Sequence, residues 1–178
     1  RKLNEMKAFH PGLIEAEAAS RVRPGFPHKR LVFAAADHNA RMISEYKGNP
    51  IGLSNRREYL TRLVRILTSD SVDGIEATPD IIEDLMLINR IRREEGEKEF
   101  LKGKMLVGAV NRGGLKNTVW EMDDMPACFT VKRIKKLNMD GVKFMIRLNP
   151  MDERSKYTLQ YCADTINEAE EYGLPVFI

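Results

Sequence analysis

From Leu31 onward, strand-length apolar runs alternate with segments whose apolar residues recur at helical spacing, and this rhythm limits the chain to a few architectures. Strand candidates fall at 31–37, 73–77, 104–110, 141–148 and 174–178. Between them, 57–69 carries Tyr59, Leu60, Leu63, Val64, Ile66 and Leu67 on a helical stripe. Further helices are expected over 80–96, begun by Asp80 as a cap, over 131–140, and over 155–173, with Ser155 as cap and Gly173 as stop. Ahead of them, 10–23 reads as a short leading helix with Pro11 in its first turn, ended by Pro24, Gly25 and Pro27. Alternation of this kind builds βαβ units, and hence a parallel sheet covered by helices.

Two folds answer to that description, the open doubly wound sheet and the (β/α)8 barrel. An open nucleotide-binding sheet carries a glycine-rich turn after its first strand. Here the first strand runs into DHNARM (37–42), which has no glycine. Polar residues instead close strand after strand: Asp37 and His38, Thr78 and Asp80, Asn111 and Arg112, Arg147 and Asn149. A barrel gathers its site from strand ends in this way. The expected fold class is therefore α/β, a (β/α)8 barrel represented by roughly its first five strands. Residues 1–30 form a helix and lead-in, and 31–178 the N-terminal part of the barrel. A full barrel takes about 250 residues, so this chain of 178 is expected to be truncated, with two open sheet edges that invite homo-oligomer formation.

Composition removes several classes of partner. No apolar run is long enough to span a membrane, and no signal-peptide pattern opens the chain, so the expected setting is cytoplasmic. The net charge of +3 leaves basic clusters such as RIRREE (90–95) and VKRIKK (131–136) as solvated helix faces rather than a nucleic-acid groove. Cys128 and Cys162 read as reduced thiols.

The stretch DGVKFMIRLN (140–149) carries the chemistry. Val142, Phe144, Ile146 and Leu148 alternate with Lys143, Met145, Arg147 and Asn149. The first set belongs against helices, so Lys143 and Arg147 point into the sheet's other face, where a cation needs a partner or a purpose. Lys143 either pairs with an acid on a neighbouring strand, such as Asp37, or binds an anion and moves protons; both can hold together. Asp37 itself either caps the following turn or orients Lys143. The three histidines, His10, His28 and His38, cannot form a multi-histidine metal site, although Asp37, His38 and Glu76 leave a mixed set conceivable. NRGGL (111–115) either wraps a phosphate or simply turns the chain. The acidic loop of Glu121, Asp123 and Asp124 either caps the helix near Pro126 or neutralises Arg112.

With LVFAAADHNARM, DGIEATPDIIEDL, NRGGL followed by WEMDD, and DGVKFMIRLNP in that order, nearly the whole chain resembles bacterial (β/α)8 proteins described as deoxyribose-phosphate-aldolase-like and associated with inositol catabolism. More distantly it resembles class I aldolases of tagatose and fructose bisphosphates. That resemblance implies a barrel of aldolase type and a lyase acting on a sugar or sugar phosphate through a lysine Schiff base. Asp37 and Lys143 match its catalytic positions, while the acid/base glutamate and the Schiff-base lysine are expected beyond Ile178, leaving this chain inactive by itself. Arg147, His38, Asn111, Arg112 and Thr78 are the expected substrate-binding residues, with neither metal nor organic cofactor required. An isomerase or epimerase using Lys143 and Asp37 as acid and base, and an inert barrel fragment with paired charges, are the alternatives.

Overall fold

Short strands joined by helices of up to 17 residues need a parallel arrangement, because a crossover helix returns each strand to the same end of the sheet. The computed structural model describes residues 2–26, 30–122 and 125–178. Two helices lead: α1 (Lys2–Phe9) and α2 (Gly12–Ser20). Then come β1 (Phe33–Ala36), α3 (Arg56–Thr68), β2 (Gly74–Ala77), α4 (Pro79–Glu94), β3 (Met105–Ala109), α5 (Val131–Lys136), β4 (Gly141–Lys143), α6 (Ser155–Glu171) and β5 (Val176–Phe177). A 3-10 turn, His38–Arg41, follows β1 directly. No helix among the described residues is long and apolar enough to cross a membrane.

Local chemistry explains most of the helix boundaries. Asn55 caps α3 by accepting the Glu58 N–H at 3.1 Å, and Thr130 caps α5 by accepting the Arg133 N–H at 3.1 Å. At α4 the cap position belongs to Thr78 rather than Asp80, with Pro79 supplying a pre-set φ in the first turn. Ser155 is the first residue of α6, not its cap; its Oγ donates to the Asn149 carbonyl at 2.8 Å and accepts the Asn149 N–H at 2.9 Å. The α1 helix was not expected. It is held by buried Met6 and by Lys7 donating to Asp84 at 2.7 Å.

All five strands pair in parallel in the order β1-β2-β3-β4-β5, so β1 and β5 are edges of an open sheet. Over the described residues the molecule is a small α/β domain of five parallel strands and six α-helices, and the expectation of a truncated (β/α)8 barrel is overturned. Polar residues at the carboxyl ends of parallel strands had argued for the barrel, but open α/β sheets place their sites there as well. Regular pairing in β4 also stops at Lys143, well short of the expected Leu148.

The helix-side core takes Ile75 and Ala77 from β2, Leu106 from β3, and Val142 and Phe144 from β4 and its exit. Leu63, Leu67, Ile81, Leu85 and Ile134 press on them from the helices. Of the four apolar residues expected on this side after Gly141, Val142 and Phe144 are fully buried, Ile146 packs at the margin, and Leu148 is 43% exposed.

The other face curls into a trough. Four strand spacings would hold the edges of a flat sheet about 19 Å apart. Yet the rings of Phe33 on β1 and Phe177 on β5 stand 5.5 Å apart, edge to face, and Phe26 of the lead-in lies 6.1 Å from Phe177. Glycines make room for these rings. A Cβ on Gly74 would come within 2.8 Å of the Phe33 ring, and one on Gly141 within 2.7 Å of Phe177.

At the amino end of the strands, the lead-in is fastened by Asp140, which is wholly buried. Its carboxylate accepts from Arg21, from Arg23 Nε at 3.1 Å and from the Leu106 N–H at 2.8 Å. Arg21 also donates to the carbonyls of Asn138 and Lys104, each at 2.6 Å.

Candidate functional site

The strand register stacks the trough in layers. Phe33, Gly74 and Met105 form the lowest row, and Ala35, Glu76, Val107 and Gly141 the next. Ala109, Lys143 and Phe177 come above them, with Asp37 one step beyond β1 at the same level. Met105, Val107 and Ala109 are buried yet lie outside the helix-side cluster, as the second face of the sheet requires.

Lys143 and Asp37 meet across this trough. The Lys143 ammonium donates to the Asp37 carboxylate, although β4 and β1 are separated by two strands. Each residue is only 5% exposed. The curl that brings Phe33 to Phe177 also brings this pair together. Its charges are thus satisfied, as a buried cation demands. His38 is half-exposed, with Nδ1 3.7 Å from Asp37 Oδ1, beyond hydrogen-bond length.

Glu76 sits one layer below on β2, half-buried between Ala35 and Val107. Burial pushes its carboxyl above the ordinary range; the Lys143 charge opposes that, the Asp37 carboxylate adds to it, and His38 opposes it. Around the rim, burial lifts the Tyr59 hydroxyl to about 12, with Asp37 and Asp80 contributing. Burial likewise raises the Cys128 thiol, against the pull of Arg112.

The other expected binding residues are placed as follows. Thr78 is buried and donates to Asp80 Oδ1 at 2.6 Å. Burial works to raise the Asp80 pKa, but that bond and one from Arg56 outweigh it and hold the carboxyl below its usual value. Asn111 is fully buried and behaves as an extra peptide group: its Nδ2 donates to the Met145 carbonyl at 2.7 Å and its Oδ1 accepts the Met145 N–H at 2.8 Å. Arg147 donates to the carbonyls of Gly113 and Glu121, closing the loop after β3. Arg112 is half-buried beside Cys128. Structural work therefore occupies Thr78 and Asn111, and Arg147 holds the loop.

Within that loop, Gly113 and Gly114 both have positive φ, 67° and 87°. The chain bends at Gly113, and a Cβ on Gly114 would sit 1.5 Å from the Glu121 carbonyl oxygen. Trp120 lies under the Arg154 guanidinium, 4.4 Å from it, which fixes the loop against the start of α6. His28, Asp123 and Asp124 lie outside the described residues. Among the described residues no group of three or more His, Cys, Asp or Glu side chains is arranged to hold a metal ion. A groove of about 720 Å³ lined by Leu3, Leu60, Val64 and Ile88 belongs to the helix side, away from Lys143.

Comparison with known families bears on what this site can be. The Cgl0159-like family model matches residues 29–178, which include every residue of the trough. The chain belongs to the Cgl0159-like family. Among solved structures it is similar to the crystal structure of Cgl0159 from Corynebacterium glutamicum, at 32% identity and a TM-score of 0.87. That match covers 98% of this chain and 57% of the other, so the chain spans little more than half that relative's length. No curated protein matches. The resemblance to deoxyribose-phosphate-aldolase-like proteins of inositol catabolism, and to class I tagatose and fructose-bisphosphate aldolases, is corrected by these findings: the matching family is the Cgl0159-like one. A strand-end aspartate and a lysine on the second face recur wherever parallel strands assemble a site, and they do not identify a family.

Two contributors escaped the sequence reading. Glu76 was weighed only as a metal ligand, and Arg41 was not singled out. Glu76 was open to detection, since an acid in the apolar run GIEA (74–77) breaks the pattern of a buried strand.

Proposed function

We propose that this member of the Cgl0159-like family is an enzyme of carbonyl chemistry, an aldolase-type carbon–carbon lyase acting on a sugar or sugar phosphate. The observation that carries the reading is the Lys143–Asp37 pair with a second carboxyl, Glu76, beside it on the face turned away from the helices. A pair kept only for stability has little to recommend it, because apolar replacements of a buried ion pair are often neutral or better. A second acid in an apolar row adds a further cost, which proton transfer would justify.

The roles follow from placement. Lys143 is an ammonium held by Asp37, so it serves as a proton donor and anchor for a substrate oxygen rather than as an attacking amine. Glu76, whose burial raises its pKa and so makes it the stronger base, accepts a hydroxyl proton. In aldol cleavage that proton leaves as the C–C bond breaks, and the electron pair passes into a carbonyl or its iminium. A lysine supplied elsewhere in the protein would form the iminium, and the route uses no metal or organic cofactor. A small-molecule substrate, the absence of nucleic-acid or membrane partners, and a cytoplasmic setting belong to the same proposal. An isomerase or epimerase is the second reading, favoured by the acid and base already standing together without a nucleophilic lysine.

Borohydride trapping in the presence of dihydroxyacetone phosphate or deoxyribose phosphate, read by intact mass, tests the first reading. A stable lysine adduct supports the lyase. Exchange of a substrate C–H in deuterated water without an adduct supports the isomerase. Turnover undiminished in Lys143→Met would sink both.

A further inference from the structure

The arginine at the rim of the trough differs from its neighbours. Arg56 is paired with Asp80 and Asp84, Arg21 with Asp140, and Arg147 donates to two carbonyls. Arg41 has no hydrogen bond or ion pair from its side chain among the described residues; its Nε is buried without an acceptor, as are those of Arg21, Arg112 and Arg147, but Arg21 and Arg147 spend their terminal nitrogens on other acceptors. A buried guanidinium N–H without a partner costs free energy, and a chain that retains one has left room for an acceptor from outside.

Its position is fixed from three sides. Arg41 ends the 3-10 turn that begins immediately after Asp37. The next residue, Met42, adopts φ 62°, which turns the chain sharply away. The Arg41 carbonyl accepts the Lys116 N–H at 3.1 Å, binding the turn to the loop after β3. A Cβ on Gly113 would lie 2.7 Å from Met145 Cγ and 3.9 Å from Arg41 Cδ, so Arg41, Gly113 and Met145 converge. Met145 stands two residues beyond Lys143 on the same face. Arg41 is therefore at the level above the Lys143–Asp37 pair, with Glu76 at the level below.

We infer that Arg41 is an oxyanion subsite that holds the phosphate or carboxylate end of a carbonyl substrate whose reacting atoms lie at Lys143 and Asp37. The inference rests on the reading of the trough as a substrate site, and it names the substrate class as anionic. It also reassigns the anion-binding role expected of Arg147, whose guanidinium holds the loop. The planar fork of an arginine matches both anions.

Calorimetric titration with inorganic phosphate, then with dihydroxyacetone phosphate and with pyruvate, tests this on the intact protein, alongside Arg41→Met and Arg41→Lys. The wild type is expected to bind phosphate saturably, and Arg41→Met to weaken it about tenfold or more. Tighter binding of the phosphate ester than of pyruvate assigns the anion as phosphate; the reverse assigns carboxylate. Absence of saturable binding of any of the three by the wild type, or unchanged affinity in Arg41→Met, overturns the subsite. Should Arg41→Met fail to fold, Arg41→Lys answers the same question, since loss of the fork lowers affinity several-fold and unchanged affinity overturns the proposal. Arg41-dependent binding without turnover leaves the subsite standing and removes the enzyme; turnover with KM unmoved by Arg41→Met does the opposite.

Discussion

Replacing Lys143 with methionine removes a charge while keeping nearly the same length of side chain, so the space beside its strand neighbours Ala109 and Phe177 stays filled. The partner left behind is Asp37, whose side chain is 7% exposed beside one of 6% for the lysine. Those values put the pair outside the surface regime of about 0–1 kcal/mol. Breaking a buried pair from one side costs about 3–5 kcal/mol, because the remaining charge has no water to return to. Glu76 loses the favourable Lys143 charge at the same time, which adds to the cost. With an m value of about 2 kcal/mol/M, the urea midpoint falls by about 1.5–2.5 M. Circular dichroism follows the helices, while the single tryptophan, Trp120, reports separately on the loop after β3. Lys143→Met combined with Asp37→Leu removes both charges and should cost much less than the sum of the two single changes. A single-variant loss below about 1 kcal/mol, or simple additivity, would refute a desolvated pair.

Three further outcomes follow from the same geometry. Asp140→Ala removes the carboxylate shared by Arg21 and Arg23, leaving them only backbone carbonyls, and should destabilise the protein by about 3–5 kcal/mol, with amide exchange accelerating first over residues 2–26. Glu76 has a raised pKa in the folded state, so the native protein holds that proton after the unfolded chain has lost it, and stability falls as pH rises from the ordinary carboxyl value through the raised one. Glu76→Gln should flatten that decline in a series of melts across pH, and an unchanged slope would count against a desolvated Glu76. Gly114→Ala must place a methyl at φ 87° and against the Glu121 carbonyl, costing at least about 1 kcal/mol; a shift of Trp120 emission reports the opened loop.

The βα rhythm, the parallel sheet and the inward lysine were legible because they depend on side-chain period alone. Lys143 and Asp37 were each visible as charges in apolar runs, and their pairing was one of two readings open for Lys143. Closure was not legible. Strand-end polar residues such as Asp37 and Asn111 look the same in an open sheet and in a barrel, and the sequential strand order with β1 and β5 as edges is a property of the whole assembly. The length of β4 was overestimated because Val142, Phe144 and Ile146 keep alternating after regular pairing ends. There the Asn111 side chain takes over the bonds to Met145 that a strand would have made. Helix α1 was missed since KLNEMKAF has little amphipathic contrast and depends on distant partners such as Asp84. Arg41 reads as one more surface cation, and its lack of a partner exists only in three dimensions.

Anchoring the lead-in through Asp140 at one extremity, while the ionisable groups gather at the other, separates robustness from reactivity along the same strands. Relatives sharing this scaffold are therefore free to exchange residues at the carboxyl rim and explore new substrates, provided the arginine–aspartate clasp beneath keeps the framework intact.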